Sequence, residues 1–134
     1  MPRYVILRHE LPADSDRRSH WDLMLESDGA LRTWAIEELP APGRSIAALE
    51  LSPHRLVYLE YEGPVSNNRG SVTRYDRGEY ELLADTADLC RVILTGERLQ
   101  GTLSLTRDRV VPERWIVLMS AKKMPPEATS PRGA

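Results

Sequence analysis

Cysteine is almost missing from this chain: Cys90 stands alone among 134 residues, so no internal disulfide can form. An excess of charge is missing too. Eighteen Lys+Arg stand against 20 Asp+Glu, a net charge of −2, which removes any global attraction to a polyanion. Dealings with nucleic acid would have to be local, at a strand end rather than along a track. No apolar run approaches the roughly 20 residues of a membrane helix. The longest late run is WIVLM at 115–119, and the early run Tyr4 to Leu7 is too short for a signal peptide. These absences point to a protein of the reducing cytoplasm with no membrane role. Helical periodicity is scarce, and no repeat or composition break divides the chain. A chain of this length fits one domain and buries roughly 68% of the surface its unfolded form exposes, enough core to fold without staples.

What is present is period-two alternation. YVILRH (4–9), HWDLMLE (20–26), ALRTWAI (30–36), SIAALEL (45–51), RLVYLEYE (55–62), SVTRYD (71–76), EYELL (79–83), LCRVILT (89–95), RLQGTLSLT (98–106) and RWIVLMS (114–120) read as strands or strand fragments. Asp28-Gly29 between two apolar runs is a hairpin signal, and Asp76-Arg77-Gly78 and Gly96 read as further turn positions. Short strands with turns every 8–12 residues predict an all-β fold with little helix. A compact antiparallel β-barrel of about eight strands over residues 1–121 is the expected form, since closure removes exposed strand edges. From Lys122 onward, KKMPPEATSPRGA has the composition of a disordered tail, expected over 122–134.

The three histidines carry the chemistry. In a strand HWDLMLE, His20, Asp22 and Met24 share one face while Trp21, Leu23 and Leu25 share the other, which is the apolar, core-facing set. Residues two apart on a strand are roughly 6.5–7 Å apart at Cα, close enough for an imidazole and a carboxylate to converge on one ion. His9, at the end of the preceding strand, supplies a third ligand if the two strands are neighbours. Two imidazoles and a carboxylate suit Mn²⁺, Fe²⁺ or Zn²⁺ with open positions. An H-x-D pair is short, however, and by spacing alone an ordinary surface or core histidine explains it better than a metal ligand does. His54 and Tyr58 lie about 13 Å apart if their segment is a regular strand, so one ligand reaches both only if the chain bends there. Cys90 reads as a small core residue, and Trp34 and Trp115 as core or mouth-lining side chains.

Taken in order, RH (8–9), SHWDLMLE (19–26), GALRTWAIEELP (29–40), HRLVYLEYEG (54–63), YDRGEYE (75–81), LQGTLSLTR (99–107) and RWIVLMS (114–120) resemble a known family. This is the 3′-phosphoesterase domain of bacterial ATP-dependent DNA ligase D, whose members show KH, LHYDFRLE, GxLxSWAVP, HPLEYxxFEG, WDRGxW, LxGxWxLxR and WxLxK. The chain resembles a stand-alone, divergent member. The resemblance implies a Mn²⁺-dependent phosphoesterase, with Zn²⁺ or another transition metal as the alternative ion. Such an enzyme removes a 3′-phosphate or terminal ribonucleotide from DNA 3′ ends, RNA-containing ends included, in end-joining repair beside a separate ligase or polymerase. The family's metal ligands fall on His9, His20 and Asp22, and its phosphate-contacting histidine and tyrosine on His54 and Tyr58; all five are the expected catalytic residues. The alternative is a catalytically impaired relative that binds metal and nucleic-acid ends, or another phosphorylated ligand, without turnover; a third reading is an unrelated structural barrel.

Three departures from the family pattern bear on that choice. Met24 stands where the family has an arginine aimed at the phosphate, Glu37 and Glu38 replace a basic residue, and the glycine-rich EGNYGAG loop becomes VSNNRGSV. The loop after His9 is five residues longer than in the pattern. Arg69 is the first candidate to replace the missing cation at the phosphate, with Arg74, Arg77, Arg17 and Arg18 behind it. Because both ligating histidines must be neutral, activity is expected to decline below about pH 6.

Overall fold

The computed structural model describes residues 1–121, and the expected tail over 122–134 lies outside the described residues. Nine strands follow in order: β1 (Arg3–Glu10), β2 (His20–Ser27), β3 (Ala30–Ile36), β4 (Ser45–His54), β5 (Gly63–Pro64), β6 (Ser71–Asp85), β7 (Leu89–Gly96), β8 (Gln100–Arg107) and β9 (Arg114–Ser120). Neighbours run β1-β2-β3-β4-β9-β8-β7-β6, and the antiparallel β1–β6 pairing joins the two ends. The result is a closed eight-stranded antiparallel barrel, with two-residue β5 appended to β6. Closure leaves the long strands without a free edge. Asp28 (φ 53°) and Gly29 (φ 80°) both occupy the left-handed region and close the β2–β3 hairpin, as the dipeptide predicts.

Strand parity sorts the side chains into two cores. Tyr4 and Ile6, Leu23 and Leu25, Trp34 and Ile36, Val92 and Leu94, and Trp115 and Val117 fill the barrel. Trp34 meets Trp115 edge to face at 5.5 Å between ring centroids, both fully buried. Such a contact adds about 0.5–1.5 kcal/mol beyond area burial. Trp21, Leu39, Tyr75 and Leu99, only partly buried, pack on this core near the barrel end where the β1–β2, β3–β4 and β7–β8 connections lie. The second core lies outside the barrel wall. Val5, Leu7, Met24, Leu31 and Val72 project outward and are covered by Leu59, Tyr58, Tyr61 and Val65.

Two sequence expectations are corrected here. The segment 55–62 is not a strand: after β4 the chain makes one 3₁₀ turn, Leu56–Leu59, and lies across the outer face of β1. Its alternation reflects packing of one side onto the second core, which a strand pattern imitates. Asp76-Arg77-Gly78 is not a turn either, because the two runs either side of it form the single 15-residue strand β6. Gly78 serves close approach instead: a Cβ there would lie 2.1 Å from the Thr95 carbonyl oxygen of β7. A bulge opposite Ile6 and Leu7 of β1 bends β6 around the barrel.

Candidate metal centre

The last residue pair of the β1–β2 ladder is His9 opposite His20, and Leu7 lies opposite Asp22. Direct pairing puts both imidazoles on one side of the sheet, and the period of two returns Asp22 to that side. The inward partners are Arg8, whose guanidinium lies 4.9 Å from the centre of the Trp21 ring, and the core residue Leu23. The connection between the strands is long and polar, and its ends are drawn together where the Leu11 N–H donates to Ser19 Oγ at 2.9 Å.

The three side chains converge. His9 Nδ1 lies 3.3 Å from Asp22 Oδ2, and His20 Nε2 lies 3.1 Å from Asp22 Oδ1; the ring centroids are 5.0 Å apart. One nitrogen or oxygen from each residue falls within 4.8 Å of the other two. His20 and Asp22 are buried, at 7% and 2% exposure.

The remaining ring nitrogens fix the tautomers. His9 Nε2 donates to the Arg69 carbonyl at 2.8 Å, and His20 Nδ1 donates to the Arg18 carbonyl at 2.9 Å. A carbonyl only accepts, so these nitrogens carry the hydrogens and neutral rings turn lone pairs toward Asp22. His20 Nε2 and Asp22 Oδ1 have no hydrogen-bond partner despite their proximity. Acceptors facing acceptors need a cation between them, either protons or a metal ion. A backbone carbonyl orienting each imidazole is the outer support that metal-ligating histidines use. The donor set therefore fits a divalent ion. In its absence, protons answer the same demand: hydrogen bonding to Asp22 raises the His9 pKa against the opposing effect of burial. Burial alone would raise Asp22, but its contacts with His20 and His9 outweigh burial and hold the carboxyl down at about 2.

The cluster opens into a cleft of about 370 Å³ bordered by Arg17, His54 and Arg69. His54 ends β4 and donates from Nδ1 to the Ser52 carbonyl at 2.9 Å, leaving Nε2 available. The 3₁₀ turn is the bend required to bring Tyr58 near His54, with ring centroids 5.8 Å apart. Tyr58 borders a neighbouring depression with Arg55 and Tyr61, while His54 borders the cleft. Arg69 returns to the cleft through Asn67 (φ 61°) and Asn68 (φ 55°), and its guanidinium is tied to Ser66 O at 2.8 Å and Ser66 Oγ at 3.0 Å. Arg74 and Arg77 do not border the cleft; Arg77 pairs with Glu97 at 3.2 Å.

Other positions settle as structure. Met24 is 1% exposed within the second core, so it presents nothing to the cleft. Cys90 is buried in the barrel, and burial pushes its thiol up to about 11. The Arg18 and Arg69 carbonyls that orient the histidines had no sequence signal, because every residue carries one. A depression of about 830 Å³ around Leu83, Leu118 and Met119 touches none of the histidines.

Comparison with known proteins places these residues in context. The family described as the DNA Ligase D 3′-phosphoesterase domain matches residues 13–107. That span contains His20, Asp22, His54, Tyr58 and Arg69, whereas His9 joins the site through the geometry of β1. The chain is similar to the multifunctional non-homologous end joining protein LigD of Pseudomonas aeruginosa, at 30% identity over 115 residues, or 78% of this chain. It is also similar to the multifunctional non-homologous end joining DNA repair protein LigD of Mycobacterium tuberculosis, at 32% identity over 122 residues, or 84% of this chain. It spans 13% and 15% of the lengths of those two relatives.

Proposed function

Because the chain belongs to the DNA Ligase D 3′-phosphoesterase domain family, we propose that it is a metal-dependent phosphoesterase that heals DNA 3′ ends during end joining. The proposed substrates are a 3′-phosphate and a terminal 3′-ribonucleotide, and the product hydroxyl passes to a separate ligase or polymerase in the cytoplasm. No helix among the described residues is long and apolar enough to cross a membrane. The observation that carries the reading is the meeting of two imidazole nitrogens and a buried carboxylate, within 4.8 Å of one another, in a cleft that His54 also borders.

In this reading His9 Nδ1, His20 Nε2 and Asp22 hold the divalent ion, with Mn²⁺ as the preferred metal and Zn²⁺ as the substitute. The bound ion supplies Lewis-acid polarisation of a phosphoryl oxygen and lowers the pKa of water. Everything else falls to the protein. The Arg69 and Arg18 carbonyls keep both imidazoles in the ligating tautomer. His54, with Nδ1–H fixed on Ser52, meets the phosphate through Nε2. In its charged form that nitrogen donates to developing negative charge, and in its neutral form it accepts a proton from water. Tyr58 packs edge-on against the His54 ring and holds its orientation.

The test is phosphate release from a 3′-phosphorylated primer–template in Mn²⁺. The wild-type protein should turn over, and His20→Ala should abolish release. Met24 favours a second reading, a relative that grips ends without hydrolysis, because a buried thioether contributes no charge at the phosphate. That reading predicts Mn²⁺ and DNA-end binding with no phosphate released.

A further inference from the structure

A phosphomonoester dianion seated at this centre adds two negative charges to that of Asp22. A divalent ion answers only two of the three. One further positive charge is needed in a site where Asp22 is almost completely buried and little water screens it. Met24 does not supply it, since it is sealed beneath Leu59 and Val72 in the second core. The guanidinium of Arg69 is committed to Ser66, and Arg77 pairs with Glu97 elsewhere. Arg18 lends only its carbonyl, to His20, and its side chain borders an adjoining depression.

Arg17 remains. It borders the cleft together with His9, His20, Asp22 and His54, and it also borders the adjoining depression of about 610 Å³, so it stands on the ridge between the two. Its main chain is anchored, with the N–H donating to Ser15 Oγ at 3.2 Å. Its guanidinium has no hydrogen bond or ion pair among the described residues.

We propose that Arg17, carried by the β1–β2 connection, is the phosphate-binding cation of the cleft and grips a terminal phosphomonoester opposite His54. This rests on the phosphoesterase reading and names the residue that reading lacks. A planar guanidinium on an exposed, anchored loop suits the task, because it can take two phosphate oxygens at once.

The experiment compares duplexes ending in a non-hydrolysable 3′-methylenephosphonate or a 3′-hydroxyl, by fluorescence anisotropy with the Mn²⁺-loaded protein. Wild-type protein should prefer the phosphonate end. Arg17→Ala should reduce that preference about tenfold or more, and Arg17→Lys should restore part of it. Mn²⁺ affinity, followed by electron paramagnetic resonance, and Tm should stay at the wild-type values, as should every property of an Arg77→Ala control. If Arg17→Ala keeps the full preference while His54→Ala loses it, the inference fails and the phosphoesterase reading stands. If Arg17→Ala loses Mn²⁺ affinity, Arg17 acts on the ion site and the inference is again wrong. A wild-type protein with no preference for the phosphonate end overturns the phosphoesterase reading and the inference together.

Discussion

His20 Nε2 and Asp22 Oδ1 lie 3.1 Å apart inside the protein, yet neither has a hydrogen-bond partner. Two acceptors at that separation repel unless something positive joins them. In calorimetry one equivalent of Mn²⁺ should bind at neutral pH and raise stability. At a free concentration a hundredfold above Kd the gain is about 2.7 kcal/mol, roughly 10 °C in Tm for a domain of this size. His20→Ala and Asp22→Asn should each erase that gain, and a chelator should reverse it in the wild type. Unchanged melting of the wild type across a Mn²⁺ titration would count against the centre.

Met24 touches the second core, not the cleft, and this decides what happens when the family arginine is put back. Met24→Arg forces a guanidinium among Val5, Leu7, Leu31 and Leu59, an apolar layer that Met24 now fills. The expected cost is about 3 kcal/mol or more, read from urea unfolding, without a gain in phosphate release. Met24→Leu keeps the volume and should cost less than about 1.5 kcal/mol. A stable, more active Met24→Arg protein would show that this wall of the barrel repacks.

Tyr4 carries its hydroxyl into the barrel and donates to Asp76, which also accepts from the Arg98 and Leu99 N–H groups at 2.8 and 3.1 Å. Burial, reinforced by the Asp76 hydrogen bond, raises the Tyr4 pKa far above its ordinary value. The sign follows from linkage: an unfolded tyrosine ionises near pH 10 while native Tyr4 keeps its proton. Its contribution is therefore complete below about pH 10 and shrinks as pH rises beyond it. Urea midpoints between pH 8 and 11 should fall for the wild type and fall less steeply for Tyr4→Phe.

The tryptophan pair makes an asymmetric prediction. Trp115 Nε1 donates to Glu50 Oε1 at 3.0 Å, whereas Trp34 Nε1 is buried with no partner among the described residues. Trp115→Phe strips a donor from a half-buried carboxylate, and Trp34→Phe removes an N–H that gains nothing. Beyond the shared loss of ring volume, Trp115→Phe should cost about 1–3 kcal/mol more by chemical denaturation.

The sequence made much of this molecule legible, for reasons that can be named. Alternation in HWDLMLE placed Leu23 and Leu25 inside and His20 and Asp22 together outside, because strand parity is a rule of backbone geometry. The Asp28-Gly29 turn was legible because few residue pairs accept two positive φ values. Residues 55–62 were misread because a segment laid over an apolar wall alternates much as a strand does. For the same reason the sequence groups Met24 with the site face of His20 and Asp22, since nothing local shows that the outer face of β1–β3 carries a second layer. The sequence sets Tyr58 with His54 at the phosphate, and which depression its ring borders depends on how a 3₁₀ turn seats it. Arg17 was one basic residue among five until the folded chain tied or turned away the others.

The β1–β2 connection leaves the barrel at one ligand and returns at the next, with its base fastened by the His9–His20 pairing and the Leu11–Ser19 bond. A hairpin anchored at its foot can lengthen, shorten or exchange its tip without disturbing the His9, His20 and Asp22 side chains beneath. Under the proposed function, grafting tips of different length and charge onto this stem should retune which ends are accepted while the Mn²⁺ affinity of the cluster stays constant.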